Sequence, residues 1–208
     1  MSNDIVTALK GLSLHGMASA WPEVLGTARI KTLDHEMVLH QLLKAEAAQR
    51  EVRSMAYQMR VARFQSHRDL AGFDFTQAGV DEGLIRDLHQ MKFLESAHNV
   101  VLIGGPGTGK THLATSLGVE AIRRHGKRVR FFSTVELVNA LELEKAQGKS
   151  GQIAYRLMYV DMVILDEMGY LPFTQSGGAL LFHMLSKLHE PTNVVITTNL
   201  SFSEWANV

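Results

Sequence analysis

The chain has 208 residues, 46% of them hydrophobic and 20% charged, which suits one full domain plus a smaller piece and excludes wholesale disorder. It has no cysteine, which excludes disulfides and thiolate metal sites, and its ten histidines form no His-Glu-x-x-His pair. Basic and acidic residues number 21 each, so net charge gives no pointer to nucleic acid. No apolar run reaches the roughly 18 residues that cross a bilayer, and the start Met-Ser-Asn-Asp is not a secretory signal, so a cytoplasmic protein is expected.

In chain order, residues 1–70 are rich in helix formers. One or two short helices are predicted over 5–21, broken by Gly11 and Gly16 and stopped near Pro22. A long helix is predicted over 33–62, where Met37, Leu39, Leu42, Leu43 and Ala47 recur at near-helical spacing without Gly or Pro. The stretch 70–75 reads as a turn and linker. Two domains are therefore expected, a helical one over 1–70 and a larger one over 71–208.

The larger one alternates. Strands are predicted at 100–103, 129–133, 162–165 and 194–198, and helices at 111–124, 135–147 and 178–189. Alternating strands and helices imply an α/β fold, a parallel sheet sandwiched by helices.

Gly104, Gly105, Pro106, Gly107, Thr108, Gly109, Lys110 and Thr111 match the phosphate-loop pattern G-x-x-x-x-G-K-T. Glycines let backbone N–H groups approach phosphate oxygens, and the helix that follows adds its N-terminal partial charge. Lys110 is expected to bridge the β- and γ-phosphates and Thr111 to hold Mg²⁺, with ATP as the nucleotide and His112 completing the set. A glycine-rich turn capping a helix is the plainer alternative; a strand before and a helix after favour the nucleotide. Asp166 ends an apolar strand and is assigned to Mg²⁺, and Glu167 beside it to activation of water. Asn199, at the tip of the last strand, is assigned to orienting that water, with Thr198 next. Acidic residues often end strands and asparagine often makes turns, so these two assignments lean on the phosphate loop.

Arg50, Arg53, Arg60, Arg63, His67 and Arg68 fall in a stretch whose only acid is Glu51. Such a stripe either neutralises DNA phosphates without reading bases or is a solvated helix face. Arg123, Arg124, His125, Lys127, Arg128 and Arg130 complement a helix C-terminus. Met55, Tyr57 and Met59 read as packing residues.

Together these motifs resemble the IstB-like transposition helper ATPases, a branch of the AAA+ class close to the DnaC-type helicase loaders. The resemblance spans nearly the whole chain. It runs through Ala62-Arg-Phe64, His67-Arg-Asp-Leu70, Phe73-Asp-Phe75, the phosphate loop, Leu165-Asp-Glu-Met-Gly-Tyr-Leu-Pro-Phe173 and Thr197-Thr-Asn-Leu-Ser-Phe-Ser-Glu-Trp205. The stretches 166–173 and 199–205 are its most specific parts. It implies an AAA+ ATPase with Lys110 and Thr111 as the Walker A pair, Asp166 and Glu167 as the Walker B pair, and Asn199 as sensor 1. It also implies a helical N-terminal domain that contacts DNA and a transposase, ATP-dependent homo-oligomers on DNA, and help in choosing the target site, with no membrane role. In that class a fifth strand and an arginine finger follow sensor 1, whereas here no arginine follows Arg156. The chain therefore reads as cut short, with an open edge at the phosphate-loop strand and feeble hydrolysis expected, since such a finger is worth on the order of 10³–10⁵ in turnover. A DnaC-like helicase loader is the alternative; a metabolic kinase and an inactive fragment rank lower.

Overall fold

A computed structural model describes residues 2–31, 34–169, 173–201 and 204, the side chains of 2, 3 and 29–31 excepted. The helices are α1 (Ser2–Gly11), α2 (His15–Lys31), α3 (His35–Ala62), α4 (Phe75–Ala78), α5 (Glu82–Leu88), α6 (Lys110–Arg123), α7 (Thr134–Ala146), α8 (Gln152–Leu157) and α9 (Gln175–Leu188). The strands are β1 (Val100–Ile103), β2 (Val129–Ser133), β3 (Met162–Met168) and β4 (Asn193–Thr198). Every strand expected from an apolar run is present. Among the described residues no helix is long and apolar enough to cross a membrane.

Two compact units result, Met1–Tyr57 and Gln58–Val208. The division falls inside α3, earlier than the expected boundary at residue 70. The cause is packing at the helix end: Ala62 is fully buried, and the Phe64 ring meets Phe131 edge-on at 6.0 Å between centroids.

Within the first unit, Met17, Val24 and Leu42 form a small core with Leu9, Leu14, Ala20, Trp21 and Val38 against it. Two sequence expectations fail here. Pro22 does not stop a helix but lies inside α2. Met17 and Val24 stand seven residues apart on one face, either side of the proline, and their shared burial offsets the cost of about 3 kcal/mol that an internal proline carries. Gly16 does not break a helix either. It lies in the first turn of α2, where a Cβ would stand 2.5 Å from the Glu46 Cα, so it marks a close helix contact. There Glu46 accepts from the N–H groups of Gly16 (2.6 Å) and Met17 (3.2 Å) and pairs with Arg50 at 2.8 Å. The Arg50 hydrogen bond holds its carboxyl below the usual range, against the opposing effect of burial. A carboxylate at a helix N-terminus meets both its orphan donors and its dipole. Along α3 only Leu42 of the expected apolar set is deeply buried, whereas Met37, Leu39 and Leu43 remain about half exposed.

In the second unit the four strands are parallel in the order β1-β4-β3-β2. One face of the sheet, through Val163, Leu165, Val194 and Ile196, packs with Leu137, Val138 and Leu141 of α7, Leu157 of α8, and Leu181, Met184 and Leu188 of α9. Each such side chain fully removed from water contributes about 1.5–3 kcal/mol. The opposite face carries α6, where Gly118 lets the helix approach closely: a Cβ there would stand 2.8 Å from Ile164 Cδ1. Three short helices were not expected: α4 started by an Asp74 cap, α5 started by an Asp81 cap, and α8 started after Gly151 in the left-handed region. Parallel order gathers the ends of all four strands along one edge, where the chemistry-bearing loops leave the sheet.

Candidate nucleotide-binding site

The loop between β1 and α6 begins at Gly104, whose N–H donates to the Thr198 carbonyl at 3.2 Å. Gly107 and Gly109 take φ of +76° and +85°, which side chains strongly resist. Thr108 Oγ1 donates to the Gly105 carbonyl at 2.9 Å and tightens the turn. Lys110 and Thr111 then open α6, so the first free N–H groups of the helix face the loop. The Lys110 ammonium donates to the carbonyls of Gly104 and Gly105, each at 2.7 Å. Burial holds its pKa below the ordinary lysine value, while Asp166 and Glu167 pull the other way.

Across the loop, Thr111 Oγ1 donates to both Asp166 oxygens, at 2.9 and 3.1 Å. The expected metal pair is thus in direct contact, although 55 residues separate it in sequence. A hydroxyl and a carboxylate are hard oxygen donors of the kind that hold Mg²⁺. The backbone of the loop beside them is open to a ligand: a Cβ on Gly105 or Gly107 would meet nothing within 4 Å, and backbone N–H groups of such a turn are donors for phosphate oxygens.

Asp166 is 1% exposed and Glu167 is exposed. Both are held by threonines that the sequence reading passed over. Thr134 Oγ1 donates to the Asp166 carbonyl (2.7 Å), and Thr197 Oγ1 donates to Asp166 Oδ1 (2.6 Å) and accepts from the Glu167 N–H (2.9 Å). The Thr198 hydroxyl, the second candidate for orienting water, donates to the Met168 carbonyl at 2.7 Å and accepts from the Leu200 N–H at 3.0 Å. Hydroxyls in a wholly buried strand such as β4 must find partners, and a carboxylate at the end of the adjacent strand is the nearest acceptor. That pattern was open to the sequence reading. Asn199 follows β4 directly and is exposed. Tyr170, Leu171, Pro172, Phe202, Ser203 and Trp205, parts of the motifs quoted for the resemblance, lie outside the described residues.

The segment read as a linker is part of this site. Asp69 and Asp74 cap successive short turns, and between them the Phe73 ring packs edge-on to His112 at 5.2 Å. His112 Nε2 also bonds the Asp69 carbonyl at 2.7 Å, so the residue assigned to nucleotide ties α6 to this segment. A Cβ on Gly109 would stand 2.5 Å from Phe73 Cε2. Gly109→Ala therefore meets both a left-handed φ and an aromatic wall. We expect calorimetry to give at least about tenfold weaker ATP binding, from roughly 1–2 kcal/mol of backbone strain alone. Pairing it with Phe73→Leu should recover part of the loss.

Of the arginines assigned to DNA, Arg50, Arg53, Arg60, Arg63 and Arg68 are all exposed, Arg50 in its ion pair with Glu46. In the second basic cluster Arg124 pairs with Glu120 along α6, and Arg128 pairs with Asp161 between the starts of β2 and β3. Tyr57 is 51% exposed, unlike a core residue.

Comparison with known proteins agrees with this geometry. The family model described as IstB-like ATP binding protein matches residues 7–208. The ATP-binding protein named for insertion sequence IS5376 of Geobacillus stearothermophilus is 33% identical over 198 residues, covering 95% of this chain and 78% of that one. The one named for IS21 of Pseudomonas aeruginosa is 32% identical over 207 residues, covering 99% and 78%. Among solved structures, AMPPCP-bound DnaA from Aquifex aeolicus superposes with a TM-score of 0.58 at 23% identity, over 70% of this chain and 46% of that chain. The DnaC helicase loader gives 0.50 at 24%, over 59% and 72%. These two likenesses establish the AAA+ P-loop fold. With its phosphate loop, its Thr111–Asp166 pair and a family match over nearly its whole length, the chain belongs to the IstB-like ATP binding proteins.

Proposed function

We propose that this P-loop ATPase is the helper of a transposase: it binds ATP with Mg²⁺, associates with further copies of itself on DNA, and so assists target-site selection in transposition. The observation that carries the ATP-dependent part is the junction of loop and strand, where Thr111 meets Asp166 at 2.9 Å with Lys110 beside them. The transposition part is supported by the insertion-sequence relatives.

In this reading the N–H groups of the loop and the Lys110 ammonium take the phosphates, and Thr111 and Asp166 hold Mg²⁺. Held there, Mg²⁺ would supply charge stabilisation to the phosphates. Glu167, exposed beside buried Asp166, accepts a proton from the attacking water, and Asn199 orients that water. Arg50, Arg53, Arg60, Arg63 and Arg68 contact DNA phosphates, which gives binding with little sequence reading.

The test is DNA binding across a salt series, with and without ATP and Mg²⁺, for wild type and Lys110→Ala. The expected result is ATP-dependent binding whose log affinity falls linearly with log salt, at a slope of roughly 0.9 per neutralised phosphate. Loss of the ATP dependence in Lys110→Ala belongs to the same expectation. A chain that binds no DNA under any condition, yet captures a replicative helicase, is instead a loader.

A further inference from the structure

The register between β3 and β4 breaks where the chemistry is. Leu165 faces Ile196 and Met168 faces Thr198, so Asp166 and Glu167 together stand opposite Thr197 alone. Two residues opposite one is a β-bulge, a device that re-aims a side chain. Glu167 is its strained member: φ is +59°, a left-handed conformation that a residue with a Cβ adopts only when its surroundings impose it. Asp166 and Met168 on either side are buried, and Glu167 emerges exposed between them.

One hydroxyl spans this bulge. Thr197 is fully buried, donates to Asp166 Oδ1 at 2.6 Å, and accepts the Glu167 N–H at 2.9 Å. The donor of this one hydroxyl and one of its two acceptor lone pairs thus serve the two carboxylate-bearing residues. The bulge takes the Glu167 N–H out of the strand ladder, and the Thr197 oxygen stands in for the missing carbonyl.

We propose that Thr197 is a positioning residue for hydrolysis, whose hydroxyl holds the Asp166-Glu167 bulge and so aims the Glu167 carboxylate. This rests on reading Glu167 as the group that accepts the proton of water. Thr197 acts through Asp166 and Glu167 and not on the nucleotide. It also makes β4 the strand that sets the aim of Glu167: Asn199 lies two residues further along the same strand end, so a shift there is felt at the base. Neither Thr134 nor Thr198 duplicates this role: Thr134 donates to the Asp166 carbonyl, and Thr198 donates to the Met168 carbonyl and accepts from the Leu200 N–H, so neither hydroxyl joins the Asp166 carboxylate to the Glu167 N–H.

Three variants test it: Thr197→Val, which keeps the branched shape without the hydroxyl, Thr197→Ser, which keeps the hydroxyl, and Glu167→Gln. Thr197→Val is expected to lower kcat by about 10- to 100-fold, the scale of a small misplacement of a reacting group. Its ATP affinity should stay within about threefold of wild type, a smaller change than the kcat effect, and Thr197→Ser should restore most of kcat. In the Glu167→Gln background Thr197→Val should cost little more, because two residues acting as one unit are not additive. The Glu167 amide of nucleotide-free protein should be protected from hydrogen exchange, and exposed by Thr197→Val. Wild-type kcat in Thr197→Val overturns the proposal, as does a full additional loss in the Glu167→Gln background. If Thr197→Val does not fold, the wild type decides: an unprotected Glu167 amide refutes the hydrogen bond. If Glu167→Gln turns over normally, the base reading is wrong, and exchange at that amide still reports whether Thr197 holds the bulge.

Discussion

Lys110→Ala is expected to lower ATP affinity by on the order of 100-fold or more, read by calorimetry with Mg²⁺ present, and, under the proposed function, to remove the ATP dependence of self-association. A hydrogen bond to a charged group is worth about 1.5–3 kcal/mol, and the ammonium makes at least two such contacts to a triphosphate. Part of that gain is offset, because Nζ first leaves the Gly104 and Gly105 carbonyls it holds at 2.7 Å. The fold should be unaffected, since the lysine side chain is only half-buried at the start of α6. An alanine variant that binds ATP like wild type would show that the loop glycines and helix terminus suffice, and would remove the lysine from the mechanism.

Glu167→Gln acts on the other half of the cycle. Turnover should fall by about 10²–10⁴, the usual contribution of a general base, while ATP and Mg²⁺ affinity stays within a few-fold. Glutamine keeps the size and the hydrogen bond from its backbone N–H to Thr197 but accepts no proton at neutral pH. The exposed side chain makes none of the contacts that hold Asp166, so the metal pair remains intact. The variant should therefore persist in the ATP-bound form, and complexes on DNA should outlive those of wild type. Single-turnover hydrolysis with pre-bound ATP measures this directly. A rate within threefold of wild type would assign water activation elsewhere.

The second unit was largely legible because local signals and tertiary demands agree there. Val100-Val-Leu-Ile followed by glycines reads as a buried strand entering a tight turn; β1 is that strand, but at the end of the sheet order it is only partly covered, with Ile103 44% exposed. The Asp166 strand needed only parallel order to reach Thr111. Where the two disagree, the sequence reading failed. Pro22 carries a strong local stop signal, yet the Met17–Val24 face overrides it. Gly16 was read as a breaker because nothing local announces that Glu46 will arrive from 30 residues away. Leu39 and Leu43 keep helical spacing but lie largely outside the core, since periodicity says which face is apolar and not what covers it. Phe73 looked like part of a linker because its partners, Gly109 and His112, are more than thirty residues further on. Thr197 and Thr134 are different: hydroxyls at the edge of apolar runs were visible, and asking where they bond would have led to Asp166.

The self-docked lysine bears on how nucleotide leaves. Since its ammonium can return to two loop carbonyls, release of product strands no bare cation in a half-dry cleft; one set of oxygen partners is exchanged for another. The left-handed φ of Gly107 and Gly109 is set by the fold itself, so much of the ordering cost of these glycines falls on folding instead of on each round of capture.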